Sequence, residues 1–169
     1  MGALGPDQLG ALTAGQVAGL TAGQVSALSA AQLSAFTPDQ VAGLSATGLQ
    51  GLAPGDVAAL TATQLAALTA SQISALSGSQ TQALTSTQLN GLGTTNLGAL
   101  TSSEIGAISK TTIGGLNTTT VNALSTSQIV ALTTTQASAL TSTQLNALGT
   151  TGMQAFETAD PLVARYEWN

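Results

Sequence analysis

The chain has no cysteine and no histidine, and Lys110 and Arg165 are its only cations. Without cysteine there are no disulfides and no thiolate metal sites. Without histidine the commonest metal ligand and the usual base near neutral pH are missing. Two cations at a net charge of −5 make no basic patch for a phosphate backbone, which excludes nucleic acid as a partner. No apolar run approaches the roughly eighteen residues that a membrane span needs. The N-terminus MGALGPDQ carries no signal-peptide hydrophobic region, so either another export signal is used or the chain is a piece of something longer. Aromatic residues are 2% and charged residues 5%, against 43% hydrophobic. That balance is the reverse of a disordered chain, and it requires a core of small aliphatics under a surface of Thr, Ser, Asn, Gln and Gly.

What the chain has in place of these groups is one unit copied nineteen times, from Leu4 to Ala155, without an insertion or deletion. The consensus is Leu, Thr/Ser, two small residues, Gln, Val/Ile/Leu, a variable residue and Ala/Gly, as in LTASQISA from Leu68 to Ala75. Position one departs from Leu only at Phe36 and Ile108, and position eight is always Ala or Gly. Position six is broken mainly by Thr81 and Ala137, with Met153 a conservative change. Strict short spacing of this kind implies a solenoid or another repeat array. Two large apolar residues and one obligatory small residue per unit describe a narrow core with close backbone approach.

A single long helix does not fit, because eight residues overshoot two turns by about 80° and the leucine stripe would spiral around the surface. An uninterrupted strand fails as well, since positions one and six would face opposite sides. One very short helix per octad fits the polar residues. Thr or Ser at position two followed by Gln three residues later is the capping-box pattern, and Leu at position one with the aliphatic at position six has the spacing of a hydrophobic staple. The pairs Thr13 with Gln16, Thr21 with Gln24, Thr61 with Gln64, Thr69 with Gln72, Thr85 with Gln88 and Thr141 with Gln144 carry this pattern. Pro6, Pro38 and Pro54 all fall at position three, the first helical residue on this reading and the one best suited to proline. The expected fold is therefore all-α, a superhelix of capped helices with one helix per octad over residues 4–155. The alternative is a β-solenoid with corners inside the octad.

Chemistry-bearing residues are few. Asp7, Asp39, Asp56 and Glu104 are the carboxylates inside the repeats, and helix-start placement accounts for each. Ser109 beside Lys110 invites a Ser/Lys nucleophile reading, but a solvated lysine in a threonine-rich turn is the simpler one. No phosphate-binding glycine loop is present, and Asn117-Thr118-Thr119 fits the short N-glycosylation acceptor pattern. No enzyme activity, catalytic residue, metal or cofactor is expected. From about Thr85 onward, positions three and four turn from small and apolar to Thr and Ser, a hydroxyl-rich stripe that suits carbohydrate, ice or a neighbouring rod. Residues 156–169 leave the repeat, with Phe156, Tyr166 and Trp168 as a terminal cap or, alternatively, a docking segment or the start of a following segment.

The run L-[TS]-x-x-Q-[VIL]-x-[AG] resembles the octapeptide arrays of very large, low-complexity bacterial proteins that are secreted or displayed at the cell surface. The octads LSATGLQG, LSGSQTQA and ISKTTIGG depart from it. That resemblance implies an extracellular, structural or adhesive role, and it carries no catalytic residue. Together with the scarcity of charge it points to a rod that pairs with itself as a homo-oligomer or filament.

If the caps hold the fold, replacing Thr61, Thr69 and Thr85 together with Ala lowers stability by about 1 kcal/mol per cap. Thermal melting of the triple variant checks this, and an unchanged midpoint would remove the capping argument.

Overall fold

The computed structural model describes residues 5–159. Every octad contributes one helix. In chain order these are α1 (Pro6–Gly10), α2 (Ala14–Ala18), α3 (Ala22–Ser26), α4 (Ala30–Ser34), α5 (Pro38–Gly43), α6 (Ala46–Gln50), α7 (Pro54–Ala59), α8 (Ala62–Ala66), α9 (Ala70–Ile73), α10 (Gly78–Gln82), α11 (Ser86–Gly91), α12 (Gly93–Gly98), α13 (Ser102–Ala107), α14 (Lys110–Gly114), α15 (Thr118–Asn122), α16 (Thr126–Val130), α17 (Thr134–Ala137), α18 (Ser142–Ala147) and α19 (Gly149–Ala159). No strand occurs among the described residues, which overturns the β-solenoid alternative. The physical reason lies at position two, where a hydroxyl accepts the N–H of position five and starts a helix instead of extending a ladder.

The junctions are nearly identical. The residue at position two is extended, with ψ near 160° at Thr13, Thr37 and Thr141. At the other end of each helix the N–H of position one bonds the carbonyl of position six, as Leu20 does to Val17 at 3.0 Å and Leu76 to Ile73 at 3.1 Å. Only positions one and two therefore leave the helical conformation, and the chain turns a corner in two residues. Pro38 and Pro54 stand at the first helical position, where a missing N–H costs nothing.

Helix n stacks on helix n+3, as α2 does on α5, α5 on α8 and α8 on α11, so one superhelical turn takes three octads, or 24 residues. The result is a three-sided rod in which each turn, or coil, lies on the last. Position six forms the axis: Val17, Val25, Val41, Leu49, Val57, Leu65, Ile73 and Ile113 are all 0% exposed. Position one packs around it, with Leu28, Leu44, Leu52, Leu60 and Leu68 buried. Isolated helices of four to six residues are unstable in water, so each is held by the coils above and below it.

Position eight explains its own restriction. It lies directly over position three of the preceding coil: a Cβ at Gly43 would sit 2.7 Å from the Ala14 carbonyl oxygen, and one at Gly51 would collide with the backbone of Ala22. Two octads differ at the corner. In LGTTNLGA and LGTTGMQA, position one is helical and the glycine at position two takes positive φ, 75° at Gly93 and 64° at Gly149. That conformation suits glycine alone, and it replaces the hydroxyl cap. The last helix, α19, runs on from the final octad to Ala159, and Phe156 is buried within it.

Two glycines separate close approach from open space. Gly51→Ala is expected to destabilise the rod by about 1–3 kcal/mol through overpacking. Gly23→Ala, where nothing lies within 4 Å, is expected to stabilise it by about 0.5–1 kcal/mol. Chemical denaturation of both variants checks the opposite signs.

Candidate functional site

The residue with the most chemistry in this rod is the glutamine at position five. Its Oε1 accepts the N–H of its own N-cap: Thr13 to Gln16 at 2.8 Å, Thr61 to Gln64 at 2.8 Å, Ser77 to Gln80 at 2.8 Å and Thr141 to Gln144 at 2.7 Å. The N-cap hydroxyl accepts the glutamine N–H in return, at 3.2 Å for Thr13 and 3.1 Å for Thr61. Thr21 with Gln24, Thr69 with Gln72 and Thr85 with Gln88 have the same reciprocal geometry. Gly5 and Ala53 have no side-chain oxygen, and there only the half in which Gln8 or Asp56 accepts from the N-cap N–H is present.

The Nε2 group of the same side chain reaches the coil beneath. Gln80 donates to the carbonyls of Leu49 at 2.7 Å and Leu52 at 2.8 Å. Gln88 donates to Val57 and Leu60, Gln128 to Leu97 and Leu100, and Gln136 to Ile105 and Ile108. Gln40, Gln64, Gln72 and Gln144 make equivalent bonds, and the shorter Asn96 still reaches Leu68 at 2.8 Å. The acceptors are carbonyls at helix ends: the position-one carbonyl beyond the helix, and the position-six carbonyl, which also accepts the N–H of the next position one. One planar carboxamide thus caps the start of its own helix and the end of another. It does so while buried: Gln80 is 1% exposed and Gln136 2%, and no buried side-chain N or O atom among the described residues lacks a partner.

A smaller set of bonds runs the other way from position seven. Gln50 donates to the Ala75 carbonyl at 3.2 Å, Ser74 to Ala99 at 3.1 Å and Asn90 to Gly115 at 3.2 Å.

The ladder has exceptions, and some are compensated by residues far away in sequence. Glu104 keeps its capping role toward Thr101 at 2.7 Å, and as a carboxylate its other oxygen accepts from the Thr81 hydroxyl at 3.3 Å. Thr81, the one hydroxyl in the axial column, is therefore the partner of the one glutamate in the ladder. Thr120 lacks a long side chain, and the N–H of its N-cap Asn117 is taken at 2.9 Å by Asn90 of the preceding coil. Beside Thr120 lies a partly open cavity of about 60 Å³, lined in part by Leu89, Gly93, Leu97 and Thr120.

Among the described residues the carboxylates and the Ser109–Lys110 pair stand apart from one another. Asp7, Asp39, Asp56 and Glu104 each lie in the first turn of a different helix, and those helices belong to different coils. Ser109 donates to Thr112 at 2.9 Å, and Lys110 is exposed at the start of α14. The Asn117 side-chain oxygen accepts the N–H of Thr120 as an N-cap. Among the described residues there is no cluster of three His, Cys, Asp or Glu, and no helix is long and apolar enough to cross a membrane. The Thr/Ser positions do not form one stripe: three octads per turn divide them into three columns, one per face. Of the terminal residues singled out in the sequence, Tyr166 and Trp168 lie outside the described residues.

The ALTTAQ repeat family model matches residues 49–86 and 111–142, together less than half of the chain, and these two stretches are similar to that family. No curated protein and no solved structure matches.

The two roles of glutamine separate by position along the rod. Gln80→Glu keeps the cap acceptor but turns a carboxylate onto two carbonyls in a buried site, and is expected to cost about 3 kcal/mol or more. Gln16→Glu makes the same change in the first coil, where the residue is exposed, and is expected to shift stability by no more than about 0.5 kcal/mol. Equal losses in the two variants, measured by urea denaturation, would refute the division.

Proposed function

We infer that this chain is a non-enzymatic structural module, a stiff spacer or display rod that associates end to end with further copies. The observation that carries the reading is the ladder itself, which makes the interface between two coils self-complementary. Each coil presents amide donors on one side and helix-end carbonyls on the other. In the first coil Gln8, Gln16 and Gln24 are exposed, and their Nε2 groups meet no acceptor among the described residues. Toward the other end the series of amides stops at Gln144, because Gly152 has no side chain to reach the Leu124 carbonyl. A second copy set in the same register would join these groups and continue the superhelix, a heterologous contact of the kind that forms open filaments. Scarce charge removes the repulsion that would oppose it.

The likeness of two stretches to a repeat family supports a structural role, as does the separation of the carboxylates Asp7, Asp39, Asp56 and Glu104 among the described residues. A sparsely charged, hydroxyl-rich rod suits the outside of a cell or its surface, which is where this reading places it. A second reading rests on the exposed hydroxyl columns of the C-terminal half, such as Thr118, Thr119 and Thr143. A carbohydrate or ice surface would be recognised there without any change to the ladder.

End-to-end growth is expected to appear as a concentration-dependent series of species in sedimentation velocity. The variant with Gln8, Gln16 and Gln24 all changed to Glu keeps the cap acceptors but loses the donors, and it is expected to stay monomeric. A wild-type chain that is monomeric at every concentration would refute the association. Retention by a glycan array or slowed ice growth under those conditions would favour the second reading.

A further inference from the structure

We propose that the rod contains one internal seam, between the coil of α10, α11 and α12 and the coil of α13, α14 and α15, at which it opens before it unfolds. This goes beyond the structural role, because it concerns where the rod yields and holds whether or not copies associate.

Four observations meet at this level. Three consecutive position-five residues, Glu104, Thr112 and Thr120, lack the amide that would grip the coil beneath. They span a complete superhelical turn, so all three sides of the rod lose the contact together. The ladder is intact on either side: Gln80, Gln88 and Asn96 hold the coil below, and Gln128, Gln136 and Gln144 hold the coil above. Secondly, helices three apart stack along the rod, yet α11 with α14 and α12 with α15 are not among the well-packed pairs; α11 leans on α15 instead. Thirdly, the 60 Å³ cavity lies in this layer. Finally, the corner into α12 has no hydroxyl cap and turns at Gly93, with φ of 75°.

The apolar axis continues through the seam, with Leu89, Ile105 and Ile113 buried, and α10 still packs on α13, but the polar bonds that cross it are few. Thr81 reaches Glu104 at 3.3 Å, Asn90 bonds Gly115 and Asn117, and Gly115 fits closely over Ser86. Each half still has its own core, its own caps and its own ladder bonds; Gly48 and Asp56 interrupt the N-terminal ladder on two sides of the rod and Gly152 the C-terminal one on one side, so only the level of Glu104, Thr112 and Thr120 lacks all three amides. Nearest-neighbour stability makes the weakest interface in such an array the first to part, and the opening is sub-global because the halves survive it. The two stretches that match the repeat family, residues 49–86 and 111–142, flank residues 87–110, which include α12 and α13.

The chain supplies its own probe. Trypsin cleaves only after Lys and Arg, and Lys110 is the sole lysine, the first residue of α14 in the seam coil. Cleavage of a folded protein tracks the population of its open form. Native-state trypsin digestion of the full chain is expected to cut after Lys110 with a urea dependence shallower than that of global unfolding. In the variant Lys110→Thr with Thr126→Lys, the lysine moves to the same first-turn site of α16, which Gln128 grips, and internal cleavage is expected to slow at least tenfold. Restoring the ladder with Glu104→Gln, Thr112→Gln and Thr120→Gln is expected to slow cleavage at Lys110 by a similar factor. Equal cleavage rates at the two lysine positions, a urea dependence equal to that of global unfolding, or a folded ladder-restored variant cut as fast as the parent would each overturn the proposal. The moved-lysine variant alters only exposed residues, so the comparison stands even if the triple variant does not fold.

Discussion

A single side-chain group, the carboxamide at position five, joins the two scales on which this rod is built. Short helices leave nearly as many unsatisfied backbone groups at their ends as they satisfy within. A stack of them is stable only if those ends find partners. The amide has an acceptor and two donors in one plane, and the fold uses all three: the oxygen at the start of one helix, the two hydrogens at the end of another. Glutamate supplies only the oxygen, threonine supplies neither at the required reach, and lysine supplies donors without the acceptor. Burial then raises the stakes, because a polar group withdrawn from water is costly wherever a bond is missed. The glutamines that are buried, such as Gln80, Gln88 and Gln136, are those that make both sets of bonds.

The helix in each octad was legible because its signals are local. The hydroxyl, the glutamine three residues on, the staple pair and the prolines act within eight residues, and each has one geometry that satisfies it. A superhelix was expected from the repeat, but its three octads per turn were not legible, since the turn depends on the angle set at two extended residues per corner and on bonds that span 28 residues, as from Gln88 to Leu60. Only half of the glutamine's role shows in the sequence for the same reason. Its own cap lies three residues away, while its second partner has no fixed signature beyond being a main-chain carbonyl. The hydroxyl-rich tract, continuous along the chain, divides into three columns once three octads make a turn.

Departures from consensus follow the same distinction between near and far. LSGSQTQA looks irregular, yet Ser77 and Gln80 form a full cap and grip the coil below. Its odd residue, Thr81, is matched to an equally odd Glu104 one coil away. Asn90 similarly serves the N-cap of α15 that Thr120 leaves unserved. These pairs lie 23 and 27 residues apart, close to one superhelical turn, and each becomes intelligible only once that turn is known.

A rod whose stability is assembled from neighbouring layers can absorb such changes one at a time, because an octad meets only the coils directly above and below it. Its tolerance has a geometric limit. Substitutions scattered over different coils leave every layer with at least some of its grip. Three in succession fall on all three sides of one layer, and no neighbour on that level remains to carry the load. The spacing of exceptions along the chain therefore matters more than their number, and the coil that holds Glu104, Thr112 and Thr120 is where this chain meets that limit.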